Sequence, residues 1–317
     1  MPASRVCCVA SSARSSPSRS RVGAVSLRRE MLQVARLSPK LLGDSAATVA
    51  DFFRQQLHAD GGFRDREGKS DLYYTVFGLE GLVALWADVP ASVAGYLESF
   101  GEGGGLDFVH LACLARAWAS LGREAQAAAP RKAIAQRMAS FRSADGGFDS
   151  EPGAPRGTIY GCFLAMGAYQ DLGEELADPQ GIVSCIESLA AADGGYSNQP
   201  GMPQGLTPST AAAATLLRQL GRPPGEAVGQ WLLSRASPQG GFFAMPAAPM
   251  PDLLSTATAL HALGGLHVDL EPIREPCLDF LDSLWSSQGG FYGNWSDDHL
   301  DCEYTYYALL SLGHLSL

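Results

Sequence analysis

The chain has 317 residues, of which 46% are hydrophobic and 18% are charged, and this composition is ample for a globular core. Its net charge of −10 argues against nucleic-acid-binding proteins, which need a basic face for the phosphate backbone. No apolar run approaches the roughly 20 residues of a membrane-spanning helix, so we predict no membrane span.

The first segment, residues 1–37, differs from the rest. It contains seven arginines, many serines and a single acid, Glu30. This composition is typical of an organelle transit peptide and also of a disordered leader, including one that precedes a true start at Met31. We predict a disordered or targeting leader over 1–37 and a structured domain over 38–317. The seven scattered cysteines favour a reduced, cytoplasmic chain, with an organelle as the alternative if the leader is a transit peptide.

A short motif recurs along the chain and sets its architecture. A pair of glycines precedes an aromatic residue, and a polar loop and an amphipathic helical pattern follow. The first glycines of the six copies, one of them degenerate, stand at positions 61, 103, 146, 194, 240 and 289. This regular spacing indicates a repeat protein.

Each repeat contains two helical patterns. The first has start signals such as Asp44-Ser45 and Asp178-Pro179, and we expect the glycine pair to end it in the left-handed cap conformation. The second is apolar on most sides, which is typical of a buried helix. These apolar helices are predicted over residues 71–85, 107–121, 157–169, 206–220, 252–263 and 301–312.

These patterns predict an all-α fold. Six hairpins, each with one outer and one inner helix and without any strand signal, favour a closed (α/α)6 toroid, with an open solenoid as the main alternative. Small residues on the inner helices, such as Gly78 and Gly81, allow close helix packing or leave room for a central cavity.

The repeat resembles the prenyltransferase/squalene-cyclase repeat of protein prenyltransferase β-subunits and class II terpene cyclases. The resemblance covers residues 44–317. It implies the toroid fold. Because that toroid carries different chemistries, its function has to be argued from individual residues.

The zinc motif of protein prenyltransferases has a partial match in the first two repeats. Residues 71–75 resemble the family's Asp-x-Cys-Tyr-Ser, with Tyr73 in place of the cysteine, and residues 107–110 resemble its Asp-x-x-His. The resemblance implies a zinc or magnesium site on Asp71 and His110. Because Tyr73 stands at the position of the cysteine ligand, zinc would have no thiolate ligand here, which puts zinc in doubt.

The last two repeats, where the family has these motifs, match less well. Asp252 corresponds to the ligand aspartate, but Leu254 stands at the cysteine position and Tyr304 at the histidine position. Class II cyclases have the motif Asp-x-Asp-Asp-Thr at the same helix head. Residues 252–256 resemble this motif, but they lack the middle acid that donates the proton.

Aspartate opens four of the six inner helices. The ordinary explanation is N-capping, since aspartate is a leading N-cap residue. In a closed ring, however, the helix heads crowd around one mouth, where carboxylates repel one another unless a cation lies among them. Ring closure also brings repeat six next to repeat one. The residues predicted to share that sector are Asp71, His110, Asp301, Glu303, Arg66 and Lys69.

The favoured function is binding of an isoprenoid diphosphate, followed by prenyl transfer or ionisation. Arg66 and Lys69 have the Arg-x-x-Lys spacing that grips the diphosphate in prenyltransferases. The predicted catalytic residues are Asp71, Tyr73, His110, Asp301 and Glu303. The predicted substrate-binding residues are Arg66, Lys69, Tyr74, Asp252 and Tyr304. The prenyl acceptor is not indicated.

Two alternatives remain open. One is a terpene-cyclase-like enzyme whose acid lies outside the usual motif, with Asp71, Asp301 or Glu303 as candidates. The other is a non-catalytic toroid that binds a lipid or a partner protein. A helical partner subunit, as in protein prenyltransferases, does not follow from one chain.

Overall fold

A computed structural model describes residues 25–317 and shows two concentric layers of helices. The elements in chain order are α1 (Leu27–Ala35), α2 (Pro39–Leu42), α3 (Ser45–Gln55), β1 (Phe63–Arg64), β2 (Ser70–Asp71), α4 (Leu72–Ala84), α5 (Ser92–Glu98), α6 (Phe108–Ser120), α7 (Arg123–Gln126), α8 (Arg131–Ala139), α9 (Ile159–Leu172), α10 (Pro179–Ser188), α11 (Thr207–Gln219), α12 (Glu226–Leu233), α13 (Leu253–Gly265), α14 (Glu271–Ser283) and α15 (Cys302–Leu315). The inner layer consists of α4, α6, α9, α11, α13 and α15.

The inner helices form a closed ring. Each packs against the next, and α15 packs against α4, so the last repeat adjoins the first. Because an outer helix returns the chain between successive inner helices, all six inner helices run in the same direction. The predicted toroid is therefore confirmed. Within residues 25–317, no helix is long and apolar enough to cross a membrane.

The glycine pairs serve a turn rather than a helix cap. The outer helix α3 is capped by Gln56, which has right-handed backbone angles, whereas Gly61 lies farther along the chain with φ of +99°. A Cβ at Gly61 would stand 2.3 Å from the backbone oxygen of Ser92 in the next outer helix, α5. The predicted left-handed conformation is thus present, but the predicted position at the helix end is wrong. The glycine is required for a turn that packs closely against the next repeat.

The aromatic residue of the motif joins the turn to the inner helix. Phe63 is fully buried, and its backbone N–H donates to the Thr75 hydroxyl on α4 at 2.9 Å. Its ring occupies the space that a Cβ at Gly78 would need, since the two would be 2.1 Å apart. Gly78 therefore provides the close packing expected of small residues on the inner helices.

A short antiparallel ribbon corrects the prediction that the chain contains no strand. Strands β1 and β2 pair Phe63 with Asp71 and Arg64 with Ser70. The ribbon is too short to show the period-two alternation by which strands are recognised in a sequence. It matters for function because residues 65–69 form its tip beside the head of α4.

The first described helix corrects the boundary of the predicted leader. Helix α1 buries Leu27, Met31, Leu32 and Ala35, and it packs against α15, α4 and α9 inside the ring. Residues 25–37 therefore belong to the toroid, because an amphipathic helix with an apolar face lies within the Arg/Ser-rich composition. The rest of the predicted leader, residues 1–24, lies outside the described residues.

Candidate functional site

The inner ring encloses a cavity that extends from the helix heads to α1. We call the end formed by the amino termini of the inner helices the head mouth, and the end covered by α1 the floor. The cavity has a small lobe of about 90 Å³ and a large lobe of about 180 Å³. Aromatic residues line both lobes: Tyr73, Phe77, Tyr160, Phe163 and Tyr307. The cavity therefore offers an apolar, aromatic surface to a ligand.

Two aspartates hold His110 at the head mouth. The ring Nε2 lies 3.1 Å from an Asp71 carboxylate oxygen, and Nδ1 lies 2.8 Å from an Asp107 oxygen. The hydrogen bond with Asp71 is the main reason that the pKa of His110 rises to about 9, and Asp107 raises it further against the opposing effect of burial. His110 is consequently a cation at neutral pH. It supplies the positive charge that adjacent carboxylates need.

All four aspartates at the helix heads act as N-caps. Asp71 accepts the Tyr73 N–H at 2.7 Å, Asp107 accepts the His110 N–H at 2.9 Å, and Asp252 and Asp301 cap their helices in the same way. The N-capping explanation is therefore confirmed for each of them. Capping does not prevent the other carboxylate oxygen from forming a second contact, as Asp71 does with His110.

Arg66 is the second cation at the head mouth. It donates to Asp301 at 2.8 Å and to Asp297 at 3.0 Å, and its guanidinium lies 5.4 Å from the Tyr304 ring centre. Burial opposes the charged form of Arg66, but the two carboxylates outweigh it and raise its pKa. Both donating edges of Arg66 are thus directed at protein carboxylates.

Lys69 lies apart from this cluster. Its amine donates to Glu67 at 2.8 Å, and both side chains are about three-quarters exposed. The structure therefore brings Arg66, Asp71, His110, Asp301 and Glu303 into one sector, as predicted, and leaves Lys69 in solvent. Its loop position explains the difference, because the ribbon tip turns Arg66 inwards and Lys69 outwards.

Glu303 and Tyr73 form the contact between the head mouth and the cavity. The Tyr73 hydroxyl donates to Glu303 at 2.5 Å, and both side chains line the large lobe. Burial raises the pKa of Glu303 to about 7; the Tyr73 hydrogen bond opposes this rise, whereas nearby Asp301 adds to it. Glu303 therefore holds an exchangeable proton near neutral pH at the edge of an aromatic cavity.

The remaining predicted residues border the site. Asp252 caps α13 and also accepts the Ser255 hydroxyl at 2.8 Å, so both of its oxygens are engaged locally. Tyr74 and Tyr304 are partly buried, and burial raises the pKa of each to about 12. Both are neutral at physiological pH and stand beside Arg66.

The sequence analysis missed a buried ion pair within the ring. Arg116 of α6 donates to both carboxylate oxygens of Glu80 on α4, at 2.8 and 2.5 Å. Glu80 is fully buried, whereas Arg116 lines both lobes. A signal was present, because each of these residues interrupts an apolar inner helix with a full charge, and buried charges need partners.

A second pair missed by the sequence analysis lies at the floor. Arg28 of α1 donates to Asp171 of α9 at 2.9 Å, and the two side chains are 9% and 2% exposed. Burial raises the pKa of Asp171 to about 6, although Arg28 and Arg116 oppose the rise. Arg28 lies in the Arg/Ser-rich segment whose composition predicts a leader, and that prediction gives it no partner in the ring. This pair fastens α1 to the ring.

The residues at the head mouth do not fit the zinc site implied by the resemblance. Both ring nitrogens of His110 face carboxylates and are protonated near neutral pH, so neither has a lone pair for a metal. Tyr73, at the cysteine position, directs its hydroxyl to Glu303. Within residues 25–317, the three potential metal ligands that lie close enough together to share one ion are Asp297, Asp298 and His299. Asp71 and His110 do not belong to this group.

Comparison with known proteins identifies the fold family. A family model described as the prenyltransferase alpha-alpha toroid domain matches residues 37–94, 87–243 and 210–316. No curated protein sequence matches the chain.

Several solved structures share the fold at low sequence identity. A type II terpene cyclase variant, MstE from Scytonema, in complex with its substrate geranylgeranyl dihydroxybenzoate, has a TM-score of 0.56 and 13% identity over 88% of this chain and 97% of that one. A protein from Actinoplanes has a TM-score of 0.57 and 15% identity over 86% and 99%. A polysaccharide lyase has a TM-score of 0.53 and 12% identity over 86% and 97%. The chemistry of the site therefore has to decide between functions.

Proposed function

The chain belongs to the prenyltransferase alpha-alpha toroid domain family, and we propose that it is a terpene-cyclase-like enzyme in which Glu303 protonates an isoprenoid bound in the aromatic cavity. The observation that carries this proposal is the position of Glu303. Its carboxyl group is half-buried at the edge of the large lobe and accepts a hydrogen bond from the Tyr73 hydroxyl. Of the three hypotheses drawn from the sequence, this geometry favours the cyclase with a non-standard acid.

The proposed reaction begins with proton transfer from the Glu303 carboxyl group. The proton adds to a carbon–carbon double bond or an epoxide oxygen, which leaves a carboxylate on the protein and a cation on the ligand. The Tyr73 hydroxyl already donates to Glu303, so it stabilises the carboxylate as it forms. The faces of Tyr73, Phe77 and Tyr307 then stabilise cationic carbon. Loss of a proton from the cyclised cation to solvent gives the product, and Glu303 takes up a proton from solvent to restore its acid form.

A diphosphate substrate has weaker support from the geometry. At the head mouth, Arg66 already pairs with Asp297 and Asp301, and Lys69 faces solvent. Arg116, which lines both lobes of the cavity, already pairs with Glu80. A diphosphate would have to displace two carboxylates and enter an acidic mouth. Proton donation requires no such rearrangement, because the acid already borders the cavity.

The test is a product assay with two classes of substrate. The first contains uncharged prenyl chains, their terminal epoxides and geranylgeranyl dihydroxybenzoate, the ligand of the similarly folded cyclase. The second contains geranyl, farnesyl and geranylgeranyl diphosphates, each with zinc, magnesium or a chelator. We expect isomeric cyclised products from the first class, detected by mass spectrometry, with or without added metal.

Matched variants make the assay decisive. Glu303→Gln keeps the size of the side chain but removes the acid and should abolish cyclisation. Glu67→Gln makes the same change at an exposed position and should leave it intact. Diphosphate release that depends on Arg66 would instead establish prenyl-transfer chemistry. Tight binding without turnover of either class would establish a binding protein.

A further inference from the structure

Two buried histidines face each other within the inner ring. His261 on α13 and His314 on α15 are 6% and 5% exposed, and His261 Nδ1 lies 3.1 Å from His314 Nε2. Burial lowers the pKa of His261 to about 4 and that of His314 to about 3. Both rings are therefore neutral at physiological pH and share one N–H···N hydrogen bond.

The outer nitrogen of His261 has no partner. Its Nε2 is buried and lacks a hydrogen bond to any described residue. Native proteins retain few such groups, and each one calls for an explanation. His261 lines the large lobe, and its Nδ1 is turned towards α15. The opposite edge of the ring, which carries Nε2, is thus the part available to a ligand.

The histidine pair can present either a donor or an acceptor. If His261 Nδ1 donates to His314, then His261 Nε2 carries a lone pair; if His314 Nε2 donates instead, then His261 Nε2 carries the proton. A hydroxyl group both donates and accepts, so it matches either arrangement. A carbonyl oxygen matches only one of them.

The surroundings favour an uncharged group. The hydroxyls of Thr215 and Thr258, which also line the large lobe, donate to backbone oxygens of their own helices. The Arg116 guanidinium is directed at Glu80. The Tyr306 hydroxyl also lines the lobe without a partner, but it is uncharged, so no described cation in this part of the lobe is left to neutralise a carboxylate or phosphate.

The depth of His261 sets the kind of ligand. Glu303 is two residues beyond the N-cap of α15, whereas His261 is nine residues beyond the N-cap of the adjacent parallel helix α13. At 1.5 Å per residue, His261 lies roughly 10 Å deeper in the cavity. We propose that His261 binds a hydroxyl group at the distal end of an extended isoprenoid chain whose reacting end lies at Glu303. This inference rests on the proposed function and specifies its substrate class as a prenyl alcohol, with its terminal double bond or epoxide at Glu303 and its C1 hydroxyl at His261.

The test compares two ligands that differ by one hydroxyl group. Farnesol and the corresponding hydrocarbon, in which hydrogen replaces the C1 hydroxyl, are titrated into the wild-type protein by isothermal calorimetry. We expect farnesol to bind about tenfold more tightly, which corresponds to one buried hydrogen bond. His261→Phe should retain binding of the hydrocarbon and remove the preference. Thr258→Val changes a neighbouring hydroxyl that is engaged within its helix, and it should keep the preference.

The outcomes separate this inference from the proposed function. Equal affinities in the wild-type protein overturn the His261 site alone, and this comparison needs no variant. A preference that persists in folded His261→Phe overturns it as well. If His261→Phe does not fold, His261→Gln supplies an amide that donates and accepts and should keep part of the preference. If neither ligand binds, both the site and the proposed function fail.

Discussion

The two ends of the inner ring use charge in opposite ways. At the head mouth, Arg66 and His110 are each about one-third exposed and lie among carboxylates, and Glu303 is left with a proton. At the floor, Arg28 and Asp171 form a buried pair on a helix that covers the opening. The helices are the same, but one end is arranged for exchange with a ligand and the other is sealed.

The direction of the helices explains much of this difference. Amino termini present N–H groups that need acceptors, so the head mouth collects aspartates and then the cations that balance them. The carboxy termini of the inner helices present no free N–H groups that need acidic acceptors, so an amphipathic helix can cover that end of the ring. Chemistry is therefore expected at the head mouth, and structural stabilisation at the floor.

The largest effect expected at the head mouth is the loss of turnover in Glu303→Gln. General acid catalysis commonly contributes about 10²- to 10⁴-fold, and the amide cannot supply the proton. In the wild-type protein, turnover should fall as the pH rises through about 7, because Glu303 then loses its proton. Product formation as a function of pH measures both effects. Wild-type turnover that rises between pH 6 and pH 8 would contradict the acid role.

Arg28→Met tests the claim that the floor is structural. It leaves Asp171 buried without its partner, and breaking such a pair costs about 3–5 kcal/mol in the free energy of unfolding. The loss should be smaller at pH 5 than at pH 8, because protonation relieves the unpaired carboxylate. Urea unfolding at both pH values measures it.

Two further variants control the floor experiment. Arg29→Met makes the same change on the exposed face of α1 and should cost little. Arg28→Met combined with Asp171→Leu removes both charges and should recover much of the lost stability. An equal loss in Arg28→Met and Arg29→Met would show that the buried pair does not hold the floor.

His110→Asn tests whether the head mouth also contributes to stability. The folded-state pKa of His110, about 9, exceeds its ordinary value of 6.5, so the charged form stabilises the fold fully below pH 6.5 and the benefit disappears as the pH rises through 9. After allowance for solvent screening, we expect about 1 kcal/mol. Unfolding free energies at pH 6 and pH 9.5 should therefore differ less in the variant than in the wild type. Identical pH dependence would show that His110 is not held as a cation.

The smallest effect is expected for Lys69→Ala. The exposed Lys69–Glu67 pair should leave melting temperature and ligand affinity unchanged, because solvent screens such pairs. Arg66→Ala, in contrast, should lower the melting temperature, since it leaves the buried Asp301 carboxylate without its cation. Loss of farnesyl diphosphate binding in Lys69→Ala would restore the diphosphate hypothesis.

The fold could be predicted from the sequence because it is repeated. Six glycine pairs and six apolar helices predicted the toroid, and ring closure correctly placed Arg66 beside Asp301. The hydrogen bond between Tyr73 and Glu303 could not be predicted, because it depends on side-chain directions across the junction of the first and last repeats. Helix α1 was missed because its apolar face is short and lies in an Arg/Ser-rich segment.

The position of α1 also constrains how the protein folds. Its Val34 packs beside Gly313 of α15, so the first described helix is completed by the last one. During synthesis, α1 emerges long before that partner exists, and its apolar face has no final binding surface until α15 has been made. Such distant contacts slow folding, because the intervening chain has to be ordered first. The floor of the cavity is therefore expected to be the last part of the toroid to form.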